Sequence, residues 1–173
     1  MSASLTVTLA GSGDAFGSGG RLQACVLLEW AEERVLLDCG ASSLVGLKRL
    51  GVDPNTIRTV VLSHLHGDHF GAGEDTGQSL PNASGAPAHH LRIEAAGHAV
   101  AYSGDTAWTP GLAEAARGAD LLICEGYFLE RRVPYHLSVA ELRERREQLE
   151  CRRVVLTHMT SEVIAAELPD FER

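Results

Sequence analysis

The stretch VVLSHLHGDHF, residues 60–70, sets three histidines and an aspartate within six positions, directly behind an apolar run. IRTVVLS reads as a buried-type strand that delivers this loop. His64 and His66 are two apart, so both can point to one side. Asp68 and His69 follow Gly67, whose missing side chain permits a sharp turn. Imidazole nitrogens with one carboxylate suit zinc and tolerate iron or manganese. One such loop does not complete a two-metal site, so further ligands are expected from other strand ends.

Working outward, LTVTLAG (5–11) alternates like a strand and runs into the glycine-rich loop GSGDAFGSGG. ACVLLEW and RVLLDCG read as a hairpin with AEER as its turn region. SSLVGLKRLG has helical apolar spacing with Gly51 as its cap. Residues 71–88, rich in Gly, Ala, Ser and Pro, read as an irregular connection. HLRIEAAGHAVAYSGDT gives two strands around a tight AAGH turn. Pro110 opens a helix that Gly118 closes, and DLLICEG follows as a strand. Ser138 and Glu141 form a capping box for a charged helix reaching about Glu150. RRVVLTH is the last clear strand and SEVIAAEL a short final helix. Strands alternate with helices, yet hairpins occur too. This is an α/β pattern of layered, mixed-direction sheets with helices outside.

A layered sheet gathers its loops at one rim, and two more ligand-type residues sit just past strands. Asp105 follows AVAY in AYSGDT, and His158 follows RVVL in VVLTHM. Alone, each would be read as a turn residue or a structural histidine. Both repeat the strand-then-ligand arrangement of the first loop.

In order and local context, H-L-H-G-D-H, S-G-D-T and T-H-M resemble the metallo-β-lactamase fold hydrolases, and within them ribonuclease Z and its phosphodiesterase relatives. GSGDAFGSGGR followed by LLDCG is similar to that branch's glycine-rich N-terminal hairpin, and CEGYF…YHLS resembles its later catalytic motif. The resemblance implies an αββα sandwich of two mixed β-sheets flanked by helices, as one domain over residues 1–173 with a shortened connection at 71–88. It implies that His64 and His66 bind one metal, that Asp68, His69 and His158 bind the second, and that Asp105 bridges them. It implies one or two zinc ions, with manganese or iron as alternatives. His136 falls where the branch protonates the leaving group, and Glu125 where a carboxylate partners that histidine. Asp68 is grouped with these two as a residue expected to serve catalysis. Asp38, in LLDCG, is a candidate acceptor for a ligand histidine's N–H, or simply a turn at a strand end.

The sequence also departs from that pattern. Asn82, in LPNASGAP, stands where a further histidine of the first metal site would be, and only 13 residues separate it from His69. An amide oxygen is a weaker zinc ligand than imidazole. His89 and His90 are nearby, but adjacent strand residues face opposite ways, so at most one can substitute. His98, in its turn, is expected to face solvent. The chain closes on LPDFER without the strand expected there, so the fold is expected to be truncated. The second site therefore looks complete and the first loose.

Composition sets further bounds. The chain has 173 residues, 45% apolar and 22% charged, which suffices for a sizeable core. Neither a signal peptide nor a membrane span is expected, so a soluble cytoplasmic protein is. Cys25, Cys39, Cys124 and Cys151 are dispersed and read as reduced thiols. A net charge of −8 argues against RNA and admits a small anionic substrate held by metal. Arg131 and Arg132 are the only basic cluster near the motifs. The expected activity is hydrolysis of a small phosphodiester, such as a cyclic nucleotide, by a metal-activated water. Alternatives are an ester, lactone or thioester hydrolase of the same fold, or a shortened, catalytically impaired binding protein. A sheet edge exposed by a shortened connection could be covered in a homodimer.

Overall fold

The computed structural model describes residues 4–70, 78–81 (backbone) and 88–173. One sheet holds β1 (Thr6–Gly11), β2 (Cys25–Trp30), β3 (Glu33–Leu37) and β4 (Thr59–Val61) in that order. Its first two pairings are antiparallel and β3–β4 is parallel. The other holds β5 (Gln78–Pro81), β6 (His89–Ala95), β7 (His98–Tyr102), β8 (Leu121–Glu125) and β9 (Val154–Thr157). Here β5–β6–β7 is antiparallel, while β7–β8–β9 is parallel. Helices α1 (Ser43–Arg49), α2 (Pro110–Ala116) and α3 (Val139–Glu144) make the crossovers between parallel strands, and α4 (Ser161–Ala165) follows β9.

The period-two alternation of strand side chains explains the layers. In β2, Val26 and Leu28 join Tyr102, Ile123 and Val155 in the core between the sheets. Cys25 and Leu27 point the other way and pack with Leu47 of α1. In β8, Leu122 and Cys124 join Leu112 of α2, Leu142 of α3 and Val163 of α4 in the third cluster. Three apolar layers between four structural layers give the expected αββα sandwich. β2 and β8 read as continuous apolar runs because both their faces are covered.

The hairpin turn tightens to Ala31 and Glu32, with Ala31 at φ 48°. Thr109 and Ser138 cap α2 and α3 with their hydroxyls, accepting from the backbone N–H of Leu112 and Glu141. Four expectations need correction. The connection at 71–88 is not wholly irregular, because residues 78–81 form edge strand β5, paired from Gln78–Arg92 to Pro81–His89. Main-chain pairing holds this strand, and an edge position tolerates Pro81. The charged helix stops at Glu144, where Arg145 leaves helical dihedrals, and continues to Leu149 as a 3₁₀ turn. The turn after His66 forms as expected, with His69 and Phe70 N–H both on the His66 carbonyl. Glycine is not what permits it, because Gly67 adopts no left-handed φ and a Cβ there would meet open space. Finally, Glu172 pairs with Val155 at the free edge of β9, so the LPDFER tail does supply one strand-like bridge.

Candidate metal centre

Parallel pairing brings the carboxyl ends of β3, β4, β7, β8 and β9 to one rim, where open α/β sheets place their ligands. Asp38 follows β3, the histidine loop follows β4, Asp105 follows β7, Glu125 ends β8 and His158 follows β9. The ligand atoms of Asp68, His69, Asp105 and His158 lie within 4.8 Å of one another, as do those of His64, His66 and Asp105. Asp105 thus belongs to both groups. His69 Nε2 is 3.2 Å from Asp68 Oδ2 and 3.2 Å from Asp105 Oδ1. His158 Nε2 is 3.3 Å from one oxygen of each of the same carboxylates. His64 Nε2 lies 3.8 Å from Asp105 Oδ2 and 2.9 Å from His66 Nδ1.

His64, His69, Asp105 and His158 are buried, whereas His66 reaches the surface. His69 Nε2 and Asp105 Oδ1 are buried and make no hydrogen bond among the described residues. Buried polar atoms without a well-aligned hydrogen bond are costly, and here these two face each other at 3.2 Å beside the oxygens and nitrogens of Asp68 and His158. Imidazole nitrogens and carboxylate oxygens arranged this way fit a divalent cation of the zinc type.

The electrostatics follow from that convergence. Burial pulls the His158 pKa down, yet Asp105 and Asp68 override it and raise it to about 10. His69 is also held well above its ordinary range, against burial, by Asp38 and Asp105. Burial favours the neutral forms of Asp68 and Asp105, but His158 and His69 hold both carboxyls well below the usual range. Burial, then His69, pushes His64 down to about 4.

Behind the ligands stands Asp38. Its Oδ2 is 2.7 Å from His69 Nδ1 and accepts from Ser63 Oγ and Tyr102 Oη, each at 2.7 Å, while Oδ1 accepts from Ser63 N–H. Asp38 is at once the acceptor and the turn, because its φ is 57°, a conformation Asp tolerates better than most residues. His158 shares a positive φ, 51°. Gly40 packs so closely under the histidine loop that a Cβ there would lie 1.9 Å from the Asp68 carbonyl oxygen.

His136 Nδ1 is 2.9 Å from Oε2 of the fully buried Glu125. Burial lowers the His136 pKa, but Glu125 outweighs it and raises the imidazole above its usual value. Sequence reasoning missed two features here. Glu125 also lies 3.6 Å from His158 Nδ1, and it accepts from the backbone N–H of Thr106 and Leu137. The Tyr127 ring stacks on His136 with centroids 4.2 Å apart. The available signal was CEGYF itself, which sets Tyr127 two residues past Glu125.

Other expectations fall outside the cluster. Asn82 lies outside the described residues. His90 is no substitute ligand, because its ring nitrogens engage Ser103 O and Thr109 Oγ1 on the helix-facing side of β6. His89 faces the other way, with its backbone N–H on Ser63 O, but joins no ligand group among the described residues. His98 is exposed beside Asp120. Arg132 pairs with Glu144, and Arg131 lies over the Phe128 ring. All four cysteines are free thiols, Cys25 and Cys124 buried.

The chain has the metallo-β-lactamase fold. A profile described as "Beta-lactamase superfamily domain" matches residues 79–159, and one described as "Anti-Pycsar protein Apyc1" matches residues 5–82, each less than half of the chain. The metallo-β-lactamase fold protein YhfI from Bacillus subtilis superposes with a TM-score of 0.81 at 19% identity, covering 96% of this chain and 90% of that one. Human tRNase Z, short form, superposes at 0.78 and 17% identity, covering 96% and 97%. In sequence the chain is similar to ribonuclease Z from Aeropyrum pernix, 36% identical over 67 residues, 38% of this chain and 22% of the relative. It is similar also to the human "Zinc phosphodiesterase ELAC protein 1", 36% identical over 67 residues, 39% and 18%. The match thus spans about a fifth of the length of these curated relatives. No helix among the described residues is long and apolar enough to cross a membrane.

Proposed function

We propose that the chain is a metal-dependent hydrolase that cleaves a small phosphodiester, with zinc as its resident ion. The observation that carries this reading is the largely buried cluster of Asp68, His69, Asp105 and His158, whose nitrogens and oxygens converge beside a histidine braced by Glu125. The names of the similar proteins, ribonuclease Z and zinc phosphodiesterase, support phosphodiesters as the substrate class.

His64, His66 and Asp105 would hold one ion, and Asp68, His69, His158 and the shared Asp105 the other. Zinc bound there supplies a Lewis acid and lowers the pKa of water. The chain's own residues do the rest. Asp38 fixes the His69 ring so that Nε2 faces the cluster. Glu125 takes the Nδ1 side of His136, leaving Nε2 to carry a proton to a departing alkoxide. Glu125 raises the His136 pKa above its ordinary value, which favours the protonated, donating form. A net charge of −8 suits a small anion drawn by metal rather than a long RNA.

The test is turnover of bis(p-nitrophenyl) phosphate by zinc-loaded protein, beside a lactone and a thioester. Phosphodiester turnover that falls in Asp68→Asn, and in His136→Ala for a diester with an alkoxide leaving group, supports the reading. Turnover of the carbonyl substrates alone would replace it with the ester-hydrolase alternative. A zinc-loaded protein inert to all three would leave the impaired scaffold.

A further inference from the structure

The His136 ring is braced at one atom. Among the described residues its hydrogen bond is Nδ1 to Glu125 Oε2, and a ring held by a single bond can still tilt about it. Its backbone sits in an excursion between Phe128 and Ser138, where Val133 and His136 form one bridge and Tyr135 has φ 71°. A second contact has to set the plane of the imidazole.

Tyr127 supplies it. Its ring stacks on His136 with centroids 4.2 Å apart and planes 20° apart, and on the ligand His158 at 5.3 Å and 21°. The two imidazoles stand 5.5 Å apart and within 9° of parallel. Main-chain bonds tie the tyrosine to both loops. Its N–H donates to the carbonyl of Leu137, the residue after His136, at 2.8 Å. Its carbonyl accepts from Thr160 N–H and Oγ1, just past His158. Phe128 meets the Tyr127 ring edge-on at 4.6 Å, and the Arg131 guanidinium lies over Phe128 in turn. Packing does not account for this ring. Tyr127 is half-buried and, unlike Tyr102, belongs to none of the three apolar clusters.

We infer that Tyr127 is a positioning residue: its ring fixes the plane of His136 against the ligand His158, so that Nε2 stays aimed at the departing oxygen. This rests on the reading of His136 as proton donor and adds the group that holds it. An aromatic face suits the task, because stacking restrains tilt while leaving both imidazole nitrogens to their partners. Proton transfer is sensitive to such placement, since the donor has to lie within hydrogen-bond reach of the oxygen it serves.

The test measures kcat and KM of zinc-loaded protein on cyclic AMP, which expels an alkoxide, and on bis(p-nitrophenyl) phosphate, whose leaving group needs no proton. Tyr127→Leu should lower kcat on cyclic AMP on the order of 10- to 100-fold, with KM and zinc content little changed. It should hardly touch bis(p-nitrophenyl) phosphate, and Tyr127→Phe should keep the wild-type values on both. An equal loss on both substrates, or a Tyr127→Phe variant as poor as Tyr127→Leu, overturns the inference. A second readout needs no turnover and decides alone where cyclic AMP is not cleaved. The His136 Nδ1–H proton resonance is identified by its absence from His136→Ala. It should be sharp in zinc-loaded wild type and Tyr127→Phe, and lost to solvent exchange in Tyr127→Leu. An inert protein with that pattern keeps the role of Tyr127 and loses the catalytic reading. An active one whose resonance survives in Tyr127→Leu does the reverse.

Discussion

The Asp38 carboxylate lies 2.7 Å from His69 Nδ1, joining the end of β3 to the loop after β4 across 31 positions of sequence. The same carboxylate gathers the Ser63 hydroxyl and the Tyr102 phenol, so one buried anion orients a ligand histidine and ties the two sheets together. Asp38→Asn keeps the volume and tolerates the left-handed backbone but offers one acceptor oxygen instead of two. Zinc affinity, measured against a chelating dye, should fall roughly 10- to 100-fold. An unchanged affinity would show that His69 needs no such brace.

Metal loading should release protons. The carboxylates of Asp105, Asp68 and Asp38 push His158 up to about 10 and hold His69 well above its ordinary value in the metal-free fold, so both imidazoles are held toward the protonated form. Zinc binds the neutral ring, so loading the Asp68–His69–Asp105–His158 group should expel roughly two protons. Calorimetry in buffers of different ionisation enthalpy reads that number, and a value near zero contradicts it. The sign for stability follows the same linkage. The raised His158 pKa stabilises the metal-free fold fully below about 6.5, and this contribution is lost as pH rises through about 10.

His136→Ala should lower turnover roughly 100- to 10,000-fold for an alkoxide leaving group, and less for p-nitrophenolate, which departs without a proton. Metal content should not change. Because the His136 pKa is raised, the alkaline fall in wild-type activity should set in above the ordinary imidazole value of 6.5. Glu125→Gln should move that alkaline limb to lower pH. An identical loss for both leaving groups would remove His136 from the proton transfer.

Two glycines separate appearance from consequence. Gly40→Ala drives a Cβ into the Asp68 carbonyl and should cost about 1–3 kcal/mol of stability while weakening metal binding. Gly67→Ala meets open space at an ordinary φ and should be tolerated. Thermal melts of the two variants, with and without zinc, check the contrast.

The layered fold was legible because every β-strand except β5 carries its own apolar signature and the helices bring caps and spacing. β5 escaped because an edge strand of four residues ending in proline is defined by its neighbour rather than by its own pattern. The residues of the cluster were readable because each stands directly behind a strand, and parallel pairing does the gathering. Of its supports, only Asp38 and the Glu125–His136 pair were readable. Tyr102 reads as a core residue of β7, and its bond to Asp38 spans 64 positions. Glu125 was paired with His136 through local motif order, while its approach to His158 depends on the register of β8 against β9. The glycine beside the histidines attracted the turn argument, while the close approach belongs to Gly40, on another strand's loop.

The most direct test is metal content per chain, by plasma mass spectrometry on protein purified without chelator and dialysed. Asp68, His69, Asp105 and His158 form the fuller ligand set, so about one ion per chain should survive dialysis, and a second should be taken up only from added zinc. That retained ion should disappear in Asp105→Ala and His158→Ala. A wild-type chain that binds no zinc, or variants that hold it as firmly, would contradict the account.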